Sequence, residues 1–188
     1  MADLVRQLHS TLEAGSLAKL VKARKAQMET FLVVDHSASM SAHVHPNSQT
    51  RCIDALRALV TDLRQDLPCP LVAFSSSVKK LARIERIPEP YGGTNMIAAI
   101  QFCQQEGATH LIMISDGMPQ NPPRTLEVAA AFPGVIDVFY VGPDDPQDAG
   151  YLFMQALAKA GHGNAQATSL RETKQLEGRI RGLIGDGK

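Results

Sequence analysis

The sequence has no excess of charge of either sign: its 188 residues contain 19 Lys or Arg and 19 Asp or Glu, for a formal net charge of zero. That balance argues against a general binder of nucleic acid or of anionic membranes, because both need a basic surplus. No apolar run approaches the roughly 20 residues that a membrane-spanning helix requires. The first residues also lack the basic-then-apolar layout of a signal peptide. We therefore expect a cytoplasmic chain, long enough for one domain with a substantial core.

Cysteine is scarce as well. The 3 cysteines, Cys52, Cys69 and Cys103, are odd in number and lie in apolar or helical contexts. This pattern is typical of reduced thiols in the core of a cytoplasmic protein rather than of a disulfide framework. An extracellular role is therefore not the one that the sequence favours.

Residues 3–29 carry apolar side chains at helical spacing, with an interruption at Gly15. A basic cluster within this segment is typical of a solvated helix face; it comprises Lys19, Lys22, Arg24 and Lys25. The sequence contains no internal repeat, low-complexity segment or obvious linker. We therefore divide the chain into an N-terminal helical extension, residues 1–29, and a single domain, residues 30–188.

From residue 31 onward, short apolar runs alternate with amphipathic segments. The runs predict about six strands, at residues 31–34, 71–74, 78–84, 111–114, 135–141 and 166–169. The amphipathic segments predict helices at residues 53–67, 96–106, 124–131, 147–160 and 172–184. Alternation of this kind predicts a doubly wound α/β fold whose mostly parallel sheet is covered by helices on both faces. The short connection and basic composition of residues 78–84 predict one antiparallel edge strand.

Oxygen-bearing side chains cluster at the ends of these predicted elements. Asp35, Ser37 and Ser39 directly follow the first apolar run, Thr94 opens a helical pattern after two glycines, and Asp116 follows the run at residues 111–114. Ligands of a doubly wound sheet collect at the carboxyl ends of its strands, where strand order reverses. A few carboxylates with several hydroxyls suit a small divalent cation such as Mg²⁺ that keeps some of its water. These residues are therefore the candidate metal ligands.

The pattern Asp-x-Ser-x-Ser, then Gly-Gly-Thr, then Ser-Asp-Gly resembles the metal-ion-dependent adhesion site of von Willebrand factor A-type domains, over roughly residues 30–184. The resemblance is to the stand-alone, intracellular type of this family. It implies a Rossmann-like fold in which Ser37, Ser39 and Thr94 supply hydroxyl ligands and Asp35 and Asp116 act mostly through water. One departure is Ala38, where the family often has glycine.

The resemblance also implies a function. The last coordination position of such a site accepts an acidic residue of a partner protein, so we expect a metal-dependent protein–protein interaction module rather than an enzyme. The implied cation is Mg²⁺, with Mn²⁺ or Ca²⁺ as alternatives, and an AAA+ ATPase is the implied class of partner. The residues expected to surround the cation and select the partner are His36, Ala38, Met118, Gln120 and the stretch His43–His45.

Two enzyme readings are alternatives. A metal-dependent phosphohydrolase would use Asp35 as its nucleophile, but Ser37 stands where such an enzyme carries its general acid, whose contribution is about 10²–10⁴-fold. A serine hydrolase is disfavoured because neither Ser37 nor Ser39 lies in a Gly-x-Ser-x-Gly elbow, and because we expect no acid beside His110. A scaffold with a vestigial site is a third alternative.

Simpler roles are open for some of these residues. Ser37, Ser39 and Thr94 could each cap a helix or turn, although capping alone does not account for the nearby aspartates. Three histidines in one loop, His36, His43 and His45, suggest zinc, but no cysteine is close in sequence, and we expect them to be exposed. The acidic cluster of Asp144, Asp145 and Asp148 is expected to favour the dipole of the helix that follows.

Overall fold

A computed structural model describes residues 30–45, 47–66, 69–82, 86–143, 145–167 and 173–185. The predicted helical extension at residues 1–29 lies outside these described residues, as does Asp144.

The described residues form six strands and five α-helices, which alternate along the chain except that the second and third strands are consecutive. The strands are Thr30–Asp35 (β1), Leu71–Phe74 (β2), Val78–Leu81 (β3), His110–Ser115 (β4), Val135–Tyr140 (β5) and Ala165–Ala167 (β6). The helices are Cys52–Asp66 (α1), Met96–Gln105 (α2), Pro122–Ala130 (α3), Ala149–Ala160 (α4) and Thr173–Gly185 (α5). A short 3-10 helix, Ala38–Ser41, follows β1 and was not predicted.

All six strands belong to one sheet, in the order β3-β2-β1-β4-β5-β6. Strand β1 pairs in parallel with both β2 and β4, and only β3 is antiparallel to its neighbour. The chain therefore runs outward from β1 to one edge, crosses to β4, and then builds the other edge. Strand order reverses between β1 and β4, so the ligand-binding crevice of such a fold lies beside the ends of these two strands. The predicted doubly wound sheet with one antiparallel edge strand is confirmed.

Alternate residues of the central strands face two separate apolar layers. Val34 and Ile112 pack with helices α1 and α5 on one face, whereas Val33 and Met113 pack with helices α2, α3 and α4 on the other. Residues of β1 and β4 are buried on both faces, which explains why these strands are continuous apolar runs rather than alternating patterns.

The boundaries of several elements differ from their predicted positions. Helix α3 begins at Pro122 rather than near residue 124, because proline fits the first position of a helix and Asn121 caps it by accepting from the Arg124 amide. Strand β3 is shorter than predicted and ends at Leu81. Strands β1 and β4 each extend by one residue into the polar segment, to Asp35 and Ser115.

The sequence predicts that the three cysteines are reduced thiols of the core. Cys52 and Cys103 are buried, Cys69 is half-buried, and none of the three forms a disulfide. Burial raises the pKa of Cys52 to about 11 and that of Cys103 to about 12, as is typical of unreactive core thiols.

Among the described helices, none combines the length and the apolar character needed to cross a membrane.

Candidate metal centre

Asp35 is the last residue of β1 and the deepest member of the candidate site. Its side chain is fully buried, at 0 % exposure. One carboxylate oxygen accepts a hydrogen bond from the Ser37 backbone amide (2.6 Å), and the other accepts from the Ser115 hydroxyl at the end of β4 (2.6 Å). The carboxylate is thus held between the two central strands, at the point where strand order reverses.

A chain of hydroxyls links this first loop to the second aspartate. The Ser39 hydroxyl donates to the Asp116 carboxylate (2.8 Å), and the Ser37 and Ser39 hydroxyl oxygens are 3.0 Å apart. Because a serine hydroxyl has a single proton and Ser39 gives its own to Asp116, Ser37 is the donor in the second bond. The side chains of Ser37, Ser39 and Asp116 therefore form one continuous polar row.

Backbone hydrogen bonds bring the loop before α2 to the same place. The Ala38 amide donates to the Gly92 carbonyl (3.0 Å), and the Gln120 amide donates to the Thr94 carbonyl (3.2 Å). Gly92 has φ +70°, a conformation in which glycine avoids the strain of a Cβ atom. The three loops that carry the five candidate ligands are therefore bonded to one another, and Thr94 is buried among them, at 7 % exposure.

The capping alternative fails for two of the three hydroxyl residues. Ser37 precedes the 3-10 helix, but its side chain makes no capping hydrogen bond within the described part of the chain. Helix α2 is capped by Asn95, whose side chain accepts from the Ala98 amide, so Thr94 is not the cap.

Ala38, where the family often has glycine, belongs to the 3-10 helix. Among the described residues, positive φ occurs only at glycines and at His162, so the methyl group of Ala38 is accommodated without strain.

Both aspartates are held in surroundings that disfavour their charge. Burial raises the pKa of Asp35, although hydrogen bonds from Ser115 and Ser37 oppose the increase. Burial, and next the charge of Asp35, raise the pKa of Asp116 to about 6 despite the hydrogen bond from Ser39. Among the described residues, hydroxyls and backbone amides rather than lysines or arginines oppose these increases. Within the described part of the chain, the arrangement is two adjoining carboxylates whose charges are stabilised by hydroxyls and backbone amides.

This donor set fits a hard divalent cation. Carboxylate and hydroxyl oxygens are the ligands that Mg²⁺, Mn²⁺ and Ca²⁺ prefer, and a small cation would neutralise two carboxylates that otherwise repel each other. Zinc does not fit, because the described residues contain no group of three or more His, Cys, Asp or Glu placed to hold one metal. The structure therefore does not bring His36, His43 and His45 together with further ligands of this kind.

Two expectations about histidines are wrong. His36 is buried rather than exposed, at 7 % exposure, and its ring contacts the Glu89 carbonyl. His110 does have an acidic partner, since its Nε2 lies 2.8 Å from the Asp137 carboxylate. Sequence separation hid this pair, which forms because β4 and β5 are neighbours. His110 begins β4, however, and so lies at the opposite end of that strand from the candidate site.

The residues expected at the rim of the site differ in exposure, and His45 is half-buried rather than exposed. Ala38, Met118 and Gln120 are exposed, and so is His43. The sequence did not single out Tyr91, whose side chain is 73 % exposed directly before the Gly92-Gly93-Thr94 turn.

Asp148 caps helix α4 by accepting from the Tyr151 amide, in agreement with the expected role of acids before that helix.

Ser115 is the contact of Asp35 that sequence reasoning missed. It is fully buried, at 0 % exposure, and donates to Asp35 across 80 residues of chain. The available signal was its position directly before Asp116 in the Ser-Asp-Gly pattern. That position is the last residue of β4, which is where the strand reaches the central crevice.

Solved structures of other proteins share this fold. An aerotolerance-related membrane protein from Bacteroides fragilis aligns over 84 % of this chain and 98 % of its own, with a TM-score of 0.61 and 15 % identity. The protein BatB from Bacteroides thetaiotaomicron aligns over 85 % of this chain and 100 % of its own, with a TM-score of 0.59 and 18 % identity. The manganese-loaded TRAP protein of Plasmodium vivax aligns over 80 % of this chain and 72 % of its own, with a TM-score of 0.56 and 24 % identity.

No family model matches the sequence, and no curated protein matches it significantly. At these identities the structural neighbours establish the fold, which is von Willebrand factor A-like: a six-stranded, mostly parallel sheet with one antiparallel strand, flanked by helices.

Proposed function

We propose that this chain is a metal-dependent protein-interaction module. Its divalent cation, Mg²⁺ or else Mn²⁺ or Ca²⁺, would be held by Ser37, Ser39 and Thr94 through their hydroxyls and by Asp35 and Asp116 mostly through water. The partner would supply an Asp or Glu side chain to complete the coordination. The observation that carries this proposal is the pair of adjoining carboxylates at the switch point of the sheet: Asp35 accepts from the Ser37 amide, and the Ser37 and Ser39 hydroxyls link Ser37 to Asp116.

The residues of the site are suited to hold a cation whose direct protein ligands carry no charge. Neutral hydroxyls as direct ligands leave a cation electrophilic, because they add no negative charge. The Ser37-to-Ser39-to-Asp116 row already fixes the directions of the hydroxyl protons, which leaves oxygen lone pairs for a cation. The manganese bound by the TRAP protein of Plasmodium vivax, which shares this fold, supports the assignment to a divalent cation.

The proposed partner is an intracellular protein that presents an acidic side chain, and an AAA+ ATPase is the class that the family resemblance implies. We place the module in the cytoplasm on the basis of its composition and its thiols. The exposed residues Tyr91, Met118 and Gln120 adjoin the site in sequence, and they would contact the partner around the cation.

The phosphohydrolase alternative is weaker on two counts. Asp35 is fully buried, and both of its carboxylate oxygens already accept hydrogen bonds, so neither oxygen is presented to a substrate. Ser37, which occupies the position of the general acid, has no acidic proton to give at neutral pH.

The proposal is tested by calorimetric titration of Mg²⁺ into the wild-type chain and into Ser39→Ala. We expect Ser39→Ala to abolish binding or weaken it greatly while the fold is retained, because Ser39 is exposed and adds little packing. Ser41→Ala is the matched control: Ser41 lies in the same 3-10 helix and donates to the Ala38 carbonyl at 2.7 Å, but does not belong to the proposed ligand set. Equal affinity in wild type and Ser39→Ala would overturn the assignment of the site.

A further inference from the structure

The segment that leads into the Thr94 loop is held by an arginine from a neighbouring helix. Residues 86–91 form neither helix nor strand. Arg57 of α1 donates from Nε to the Ile87 carbonyl (2.9 Å) and from Nη1 to the Glu89 carboxylate (2.8 Å). One buried side chain thus holds the segment at two points that are two residues apart.

A second arginine, Arg51 directly before α1, completes the anchor. Arg51 donates to the other oxygen of the Glu89 carboxylate (3.0 Å), and both arginines also pair with Asp54, at 2.8 Å and 3.0 Å. Arg57 is buried, with a side-chain exposure of 7 %, so it depends on these acidic partners for its charge. We call Arg51, Asp54, Arg57 and Glu89 the arginine clasp.

The same segment is bonded on its other side to the Asp35 loop. The His36 ring donates from Nδ1 to the Glu89 carbonyl (3.2 Å), and the His36 carbonyl accepts from the Tyr91 amide (2.9 Å). One residue further along the segment, the Gly92 carbonyl accepts a hydrogen bond from the Ala38 amide (3.0 Å). The clasp, the segment and the Asp35 loop therefore form a continuous series of contacts that ends at the turn before Thr94.

We propose that Arg57 and Glu89 are positioning residues of the cation site, which set where the Gly92-Gly93-Thr94 turn lies relative to the Asp35 loop. This inference rests on the proposed function. Two consecutive glycines make the turn conformationally permissive, so its position must be fixed by what holds its ends. Mg²⁺ demands near-ideal octahedral geometry with ligands at about 2.0–2.1 Å. A small displacement of Thr94 would therefore lower the affinity of the site for Mg²⁺.

A purely structural role would give a different result. The Glu89 side chain is 64 % exposed, and exposed ion pairs contribute little to the free energy of unfolding. Asp54 still pairs with the buried Arg57 when the Glu89 charge is removed, so the loss of stability should be small, whereas one of the two anchor points of the segment is weakened. The separation of metal affinity from stability is what distinguishes positioning from simple stabilisation.

The test is Mg²⁺ calorimetry on Glu89→Gln, with the thermal midpoint measured in chelator. Glu127→Gln is the matched control, since Glu127 is 63 % exposed and pairs with Arg124 at 2.6 Å on helix α3. We expect Glu89→Gln to bind Mg²⁺ about tenfold more weakly than wild type, the size of effect typical of residues that orient metal ligands. Its thermal midpoint in chelator should change no more than that of Glu127→Gln.

Arg57→Met provides a second variant, and Glu89→Gln carries the test alone if Arg57→Met does not fold. In the Arg57→Met background, adding Glu89→Gln should weaken Mg²⁺ binding little further, because the two residues act through one contact. Wild-type affinity in Glu89→Gln, or a loss shared by Glu127→Gln, would overturn the role of the clasp while leaving the cation site in place. Failure of the wild type to bind Mg²⁺ would overturn both proposals.

Discussion

Replacing Asp116 by asparagine should stabilise the metal-free protein at alkaline pH. Asparagine keeps an oxygen that can accept the Ser39 hydroxyl proton, but it carries no charge to be repelled by Asp35. The pKa of Asp116 rises from its ordinary 3.8 to about 6 in the folded chain. At about 1.36 kcal/mol for each pKa unit, ionised Asp116 costs the folded state up to about 3 kcal/mol. Because Asp116 is only partly buried and solvent screens its charge, we expect a smaller gain of about 1–2 kcal/mol.

The sign of this effect depends on pH. A folded-state pKa above the unfolded value means that the folded chain binds the proton more tightly, so the contribution of Asp116 to stability is favourable at low pH. This favourable contribution is lost as the pH rises from about 4 through about 6. Above that range, ionised Asp116 lowers the stability of the folded state by its full amount. The advantage of Asp116→Asn over wild type should therefore be largest at pH 8 and should shrink to less than about 1 kcal/mol near pH 4.

The assay is urea denaturation of wild type and Asp116→Asn in chelator at the two pH values. Asp62→Asn, a substitution of an exposed aspartate on helix α1, is the control and should change stability little at either pH. Saturating Mg²⁺ should then stabilise wild type, by about 2.7 kcal/mol at 100 times the dissociation constant, and should stabilise Asp116→Asn much less. An Asp116→Asn chain that is less stable than wild type in chelator at pH 8, or a difference that does not depend on pH, would refute this reasoning.

Mg²⁺ affinity should fall as the pH drops below about 6, by up to about tenfold for each pH unit, because the cation and a proton compete for Asp116; calorimetry across pH 5–8 measures this, and a flat profile would contradict it. Hydrolysis of generic phosphate and acyl esters should not exceed background, and an activity that disappears in Asp35→Asn would support the phosphohydrolase instead. For a captured partner, an Asp or Glu→Ala change should weaken binding by about 2–5 kcal/mol, as much as chelator does. The two losses should not add; if chelator weakens the acid-lacking partner as strongly as the normal one, the interface lies away from the cation.

The sheet and its crevice could be predicted from sequence because both depend on local patterns. Buried parallel strands are apolar throughout, so residues 31–34 and 111–114 were recognisable, and the polar residues that follow them lie at the same edge of the sheet. The candidate ligands Asp35 and Asp116 follow these two runs, and the structure places their loops in contact with each other and with the loop of Thr94.

What sequence reasoning missed depends on contacts between distant residues. The pairs Asp35–Ser115, His110–Asp137 and Arg57–Glu89 join residues that are 80, 27 and 32 positions apart. Each pair has ordinary side chains whose partners are set by strand order and by irregular segments rather than by a local motif. The burial of His36 was missed for the same reason, since its Glu89 contact lies 53 residues away.

The pairing of β1 with β4 has a consequence for the order of events in folding. The Ser115 hydroxyl reaches Asp35 across 80 residues, and closing so long a loop carries an entropic cost before any distant contact is made. The proposed cation would therefore meet its complete set of oxygens only after the two central strands have come together, so it would not act as the nucleus of folding. Bound metal should slow the unfolding of this chain while leaving its folding rate nearly unchanged, as expected of an interaction that forms after the transition state.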